Sequence, residues 1–213
     1  MEGTPGAPGA GRTQLRPIVA AVMAASLATT GCQGMAMTTQ DVPPQGPARP
    51  DNTVADWPLK FVQHNFGVRS YSTYGCIVDY NGFRHLSEPD DKLKPALADV
   101  HPDALRNASV GYLGVMNFPV PAHVRWRSKD GVPHEATVDI GEIFKDQLIL
   151  HEVPRKDIRE GVSIGNPDVL LVVDNRTIQV YMRAFIPTKE PQIEGNPRST
   201  HRDDWVLAWS KSY

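Results

Sequence analysis

AHVRWRSKDGVPHEATVDI, residues 122–140, is the most regularly patterned segment of the chain. Val124 and Trp126, then Ala136, Val138 and Ile140, alternate with His123, Arg125 and Arg127, then Glu135, Thr137 and Asp139. A period of two is the signature of a strand with one buried face. Lys129-Asp130-Gly131 supplies the turn, so the segment is expected to be a β-hairpin with an apolar face and a charged face. Arginines on one strand opposite acids on the other allow cross-strand pairs worth about 0.2–1 kcal/mol each, as on an ordinary solvated sheet.

Working outward, the same grammar recurs. Asp168 to Ile186 reads as a second hairpin around Asp174-Asn175-Arg176, with Ile178, Val180, Met182 and Ala184 facing one way. Val169 to Val173 is apolar throughout, which predicts a central strand covered on both faces. Leu59–Val68 and Thr73–Tyr80 are expected to form a first pair, with Asn81-Gly82 as the next turn. Trp205–Tyr213 is expected as a last strand with Trp205, Leu207 and Trp209 on one face. Pro102-Asp103-Ala104-Leu105 favours a short helix or 3-10 turn, and Pro187–Arg202 a long exposed loop. The expected fold is mainly β, sandwich-like antiparallel sheets with short helical or 3-10 segments, following a disordered tether. Residues 57–213 should form a single β-rich domain, since 213 residues are too few for two once the amino-terminal segments are set aside.

Those segments carry targeting information. Arg12 and Arg16 flank an apolar run from Pro17 to Ala28 that is too short for a membrane span, which needs roughly 20 apolar residues. It ends in Ala28-Thr29-Thr30-Gly31-Cys32, which resembles the lipobox of bacterial lipoproteins; Thr29 stands where a leucine is usual. Residues 1–32 are therefore read as a lipoprotein signal peptide with Cys32 as the lipidation site, the alternative being cleavage after Gly34-Met35-Ala36. Attached acyl chains would hold the protein at the membrane at about 0.8 kcal/mol per buried methylene. Gln33 replaces the aspartate that resembles an inner-membrane retention signal, which points to the outer membrane. Residues 33–56 form a Pro-rich tether, a semi-rigid spacer.

Charge and motifs exclude other classes. The chain has 22 Lys and Arg against 24 Asp and Glu; without residues 1–32, which hold Arg12, Arg16 and Glu2, 20 face 23. That balance gives no footprint for nucleic acid. Cys76 is the only cysteine after Cys32, so no internal disulfide forms within the domain, and its neighbours predict a buried, inert thiol. Gly161-Val162-Ser163-Ile164-Gly165 matches the nucleophile elbow of esterases, with Asp168 and His201 formally completing a triad. The motif requires a strand before the serine and a helix after it, whereas Arg159-Glu160 and Asn166-Pro167-Asp168 make a turn. The seven histidines show no HExxH, so no metal site and no cofactor are expected.

Residues 119–131, with 134–140 and Ile143-Phe144-Lys145, together with Val78–Gly82, Val180–Arg183 and Trp205–Tyr213, resemble lipoproteins that serve as immunity partners of type VI secretion phospholipase effectors. The resemblance covers most of residues 57–213 and rests on a hairpin rather than a catalytic signature. It implies a non-enzymatic, periplasm-facing lipoprotein that binds a cognate secreted phospholipase and blocks it. An envelope structural or assembly lipoprotein is the alternative. Exposed loops are where such a partner would dock: Glu88, Asp90 and Asp91; Arg127, Lys129 and Asp130; Asn175 and Arg176; and Glu194, Arg198 and Arg202.

Overall fold

The computed structural model describes residues 52–213; the signal segment, Cys32 and the tether up to residue 51 lie outside the described residues. Eleven strands follow one another: β1 Gln63–Tyr71, β2 Thr73–Tyr80, β3 Phe83–Ser87, β4 Tyr112–Met116, β5 Ala122–Ser128, β6 Pro133–Val138, β7 Asp168–Asp174, β8 Thr177–Arg183, β9 Ile186–Pro187, β10 His201–Arg202 and β11 Val206–Ser212. They form a five-stranded sheet ordered β11-β8-β7-β1-β4, a four-stranded sheet ordered β3-β2-β5-β6, and a small β9-β10 pair. The two large sheets face each other across one core. Phe66, Val68, Val169, Leu171, Val173, Ile178, Val180 and Met182 meet Cys76, Val78, Tyr80, Val124, Trp126, Ala136 and Val138 there.

The quoted hairpin forms as its alternation requires. Val124, Trp126, Ala136 and Val138 are buried while Arg125 and Glu135 sit opposite one another on the outer face. Ile140 is buried too, but it opens a four-residue helix, α1 Ile140–Ile143, because the Asp139 carboxylate accepts the Glu142 N–H at 3.0 Å and caps the turn. β7 and β8 form the second hairpin, closed by Asn175 at φ 51°. β7 is buried on both faces, as its unbroken apolar run predicts. Its outer face is covered by a second cluster in which Leu170 and Val172 pack with Tyr71 and Ala108 under Leu97, Leu105, Tyr181 and Trp205.

Three expectations need correction. The first concerns β1 and β2, which are not partners. One residue, Ser72 at φ 52°, joins them, and a single residue cannot reverse a chain within a sheet. The chain bends instead from one sheet to the other. β1 lies parallel to β7, the one parallel pairing of the large sheets, and β2 pairs with β3 and β5. The second concerns β11, where a bulge between Leu207 and Trp209 breaks the alternation. Trp209 and Tyr213 pack on the main core and Trp205 on the outer cluster, while Leu207 is exposed. The third concerns the chain before Trp57. Asn52 is buried, accepts the Lys60 N–H at 3.1 Å on its side chain and the Ile164 N–H at 3.1 Å on its carbonyl, so residues 52–56 belong to the folded body.

Cys76 lies fully inside the sandwich, and burial, with the Glu88 charge second, pushes its thiol up to about 12. Thiolate is the reactive form, so Cys76 in native Cys32→Ser protein should resist iodoacetamide and react fully once denatured, as mass spectrometry would show. Modification of the native thiol at the rate of a free cysteine would contradict this placement.

Candidate interaction surface

Three of the four loops expected to carry a binding surface converge at one end of the sandwich. The β5–β6 turn is braced from within: the Ser128 hydroxyl donates to the Asp130 carboxylate, and Gly131 adopts φ 82°. Asp130 also pairs with Arg176 of the β7–β8 turn. The Ser128 hydrogen bond and then the Arg176 guanidinium hold its carboxyl at about 2, well below the usual carboxylate range. The Lys129 N–H donates to the Asn175 side-chain oxygen at 3.0 Å, and the Trp126 indole N–H donates to the Asn175 carbonyl at 2.6 Å. Core and turn are thus bolted together by one residue.

The acidic loop, which follows β3 in the same sheet as the β5–β6 turn, joins them. Arg127 donates to the Asp90 carbonyl at 2.5 Å, and its guanidinium lies 5.1 Å from the Tyr74 ring centroid. Gly75, at φ 54°, lets this loop close down, since a Cβ there would fall 1.8 Å from an Asp90 carboxylate oxygen. Glu88 is mainly a staple: its N–H donates to the Cys76 carbonyl at 2.9 Å and its carboxylate pairs with Lys94 at 3.3 Å. Asp91 and the Lys129 side chain are exposed.

The fourth loop is elsewhere. Glu194, Arg198 and Arg202 belong to an excursion that leaves β8 beyond Arg183, at the end opposite the β7–β8 turn. β9 and β10 pinch it shut, and Ser199 organises its tip by accepting the Gln192 and Ile193 N–H groups at 3.1 and 2.9 Å. Glu194 and Arg198 are exposed, whereas Arg202 is tied to Asp204 at 2.5 Å and to Glu152 at 3.8 Å. The expected sites therefore do not make one surface.

No protein-family model, curated protein or solved structure matches this chain.

The esterase-like motif lacks its scaffold. Residues 159–167 contain neither strand nor helix, and β7 follows Ser163 where the motif requires a helix. Asp168 is engaged by Asn65 at 2.9 Å and Arg183 at 2.8 Å, and His201 stacks on Phe185 with ring centroids 4.5 Å apart. Among the described residues no group of three or more His, Cys, Asp or Glu is placed to hold a metal ion.

Sequence reasoning also missed His64, which is wholly buried. Its ring nitrogens lie 2.8 Å from the Asn117 side-chain oxygen and 3.1 Å from the Tyr80 hydroxyl, between Phe61 and Phe118. Burial lowers its pKa, against the opposing pull of the Asn117 hydrogen bond. The signal was the alternation His64, Phe66, Val68, which places the imidazole on the core face.

Proposed function

We propose that this chain is a periplasm-facing lipoprotein, anchored through Cys32, that binds and inhibits a cognate secreted phospholipase without catalytic chemistry of its own. The observation that supports this reading is the loop-bearing end, where segments from both sheets are pinned by Asp90–Arg127, Lys129–Asn175 and Asp130–Arg176. Loops held rigidly on a β scaffold lose little conformational entropy on binding, which is how a non-enzymatic domain presents a specific surface. A tight inhibitor needs an interface burying on the order of 1,600 Å², with Arg and aromatic anchors such as Arg127 on Tyr74. A lipid anchor would add local concentration at the membrane the phospholipase attacks.

The test uses purified phospholipase encoded beside this chain's gene and phosphatidylethanolamine vesicles as substrate. Wild-type protein is expected to abolish hydrolysis at stoichiometric ratio. Asp91→Arg and Lys129→Glu change exposed side chains that hold no loop in place, and each is expected to weaken inhibition about 3–30-fold. Unchanged hydrolysis in the presence of folded wild-type protein would refute the reading. Capture of a resident envelope complex by in-cell crosslinking from residue 129 would replace it with the assembly role.

A further inference from the structure

Four strands end the two large sheets: β4 and β11 in one, β3 and β6 in the other. An edge strand presents unpaired backbone groups, and natural edges are commonly guarded by charge or proline so that copies do not pair through them. β3 carries Arg84, β6 carries Pro133 and Glu135, and β11 carries Lys211. β4, with the sequence YLGVM, carries neither charge nor proline. The gap extends beyond the strand: no charged residue occurs from Val110 to Pro121, although 22% of the chain is charged.

β4 is bulged at Leu113-Gly114, as β3 and β11 are bulged against their neighbours, so its lack of charge is what sets it apart; this edge is also apolar. Leu113 is 70% exposed, and Met116 and Phe83 47% and 56%. The Phe83 ring lies 5.1 Å from the Tyr112 ring, which joins the start of β3 to β4 in one patch. A Cβ at Gly111 or Gly114 would meet nothing within 4 Å, so the rest of the domain packs on neither glycine there. Isolated exposed apolar residues are ordinary, but a contiguous patch along an open strand marks an interface.

We propose that β4 is a homodimer edge, pairing antiparallel with β4 of a second copy across a two-fold axis. The missing charge selects this occupant. A two-fold axis sets a strand against itself, so a charged residue near the axis meets its own like charge, as Arg84 would on β3 and Lys211 on β11. β4 alone among the four escapes that repulsion. Five residues of strand pairing are few, so Leu113, Met116 and Phe83 supply most of the binding. Met116 lies opposite Gln63, at the far end of β1 from Tyr71, so pairing leaves the Lys129–Arg176 end uncovered. The dimer does not depend on the inhibitory role.

Sedimentation equilibrium of the full chain carrying Cys32→Ser tests the proposal. A monomer–dimer equilibrium at micromolar concentration is expected. Leu113→Lys with Met116→Lys should raise the dimer Kd at least about tenfold through like-charge apposition, with an unchanged thermal midpoint showing that the fold is intact. Phe83→Lys gives an independent reading on the same patch. A protein that remains monomeric throughout, or one whose association ignores these substitutions, overturns the proposal. Monomeric protein that binds phosphatidylcholine vesicles through Leu113 and Met116 likewise overturns it, in favour of a lipid-facing edge.

Discussion

Trp126→Ala is expected to destabilise the domain by about 3–5 kcal/mol, the usual range for deleting a buried aromatic side chain. Trp126 is 3% exposed and reaches from the core to the loop-bearing end. It stacks on His134 at 5.0 Å, meets Tyr213 edge-on at 5.5 Å and donates its indole N–H to the Asn175 carbonyl. Truncation leaves a cavity and also frees that carbonyl, which adds to the loss. For a domain of this size the thermal midpoint should fall by roughly 10 °C. Trp126→Phe keeps most of the ring volume and removes the indole hydrogen bond, so its smaller cost isolates the bolt to the β7–β8 turn. Calorimetry on both variants checks the ranking. If Trp126→Ala loses less than Trp126→Phe, the residue is not the brace its contacts describe.

Acid should weaken the fold well before the carboxylates titrate. Burial lowers the pKa of His64, His85 and His151, in each case partly offset by a hydrogen bond. A histidine whose folded pKa lies below its unfolded value of about 6.5 binds more protons when unfolded. Its contribution is therefore complete above about 6.5 and is lost as pH falls below that value toward the folded pKa. His64 dominates, because it is wholly buried and both its hydrogen-bond partners, Asn117 and Tyr80, are uncharged. A second loss follows at lower pH. Hydrogen bonds and charge from Ser128 and Arg176, Arg84, and Lys189 depress Asp130, Asp79 and Glu160, and what these carboxylates contribute disappears only as they protonate below their unfolded values. The urea midpoint should consequently decline between pH 7 and 5, and the His64 ring proton should show no titration near 6.5 by NMR. A midpoint that stays level across that interval would contradict a neutral, buried His64.

Elements whose pattern is local are legible in the sequence. The 122–140 hairpin needs only alternation and a glycine turn, and Val124, Trp126, Ala136 and Val138 are buried accordingly. The β7–β8 hairpin and the doubly covered β7 follow by the same logic. The convergence of Asp90, Asp130 and Arg176 was legible only in part. Each loop can be marked as exposed from its sequence, but their common end depends on which strands are neighbours, and exposure alone does not separate Arg202 from the other three loops.

The alternation of apolar and polar residues determined by itself that this chain makes strands, where two of its hairpins turn and which faces they bury, because side chains on an extended backbone must point alternately to opposite sides. Tertiary structure alone decided that β1 leaves β2 to run parallel beside β7, that a bulge turns Trp209 onto the core, that His64 is sealed between Tyr80 and Asn117, and that β4 is left at the edge of its sheet. Each of these depends on partners distant in sequence, and strand pairing over such distances is selected by the summed burial of the whole sandwich rather than by any local pattern.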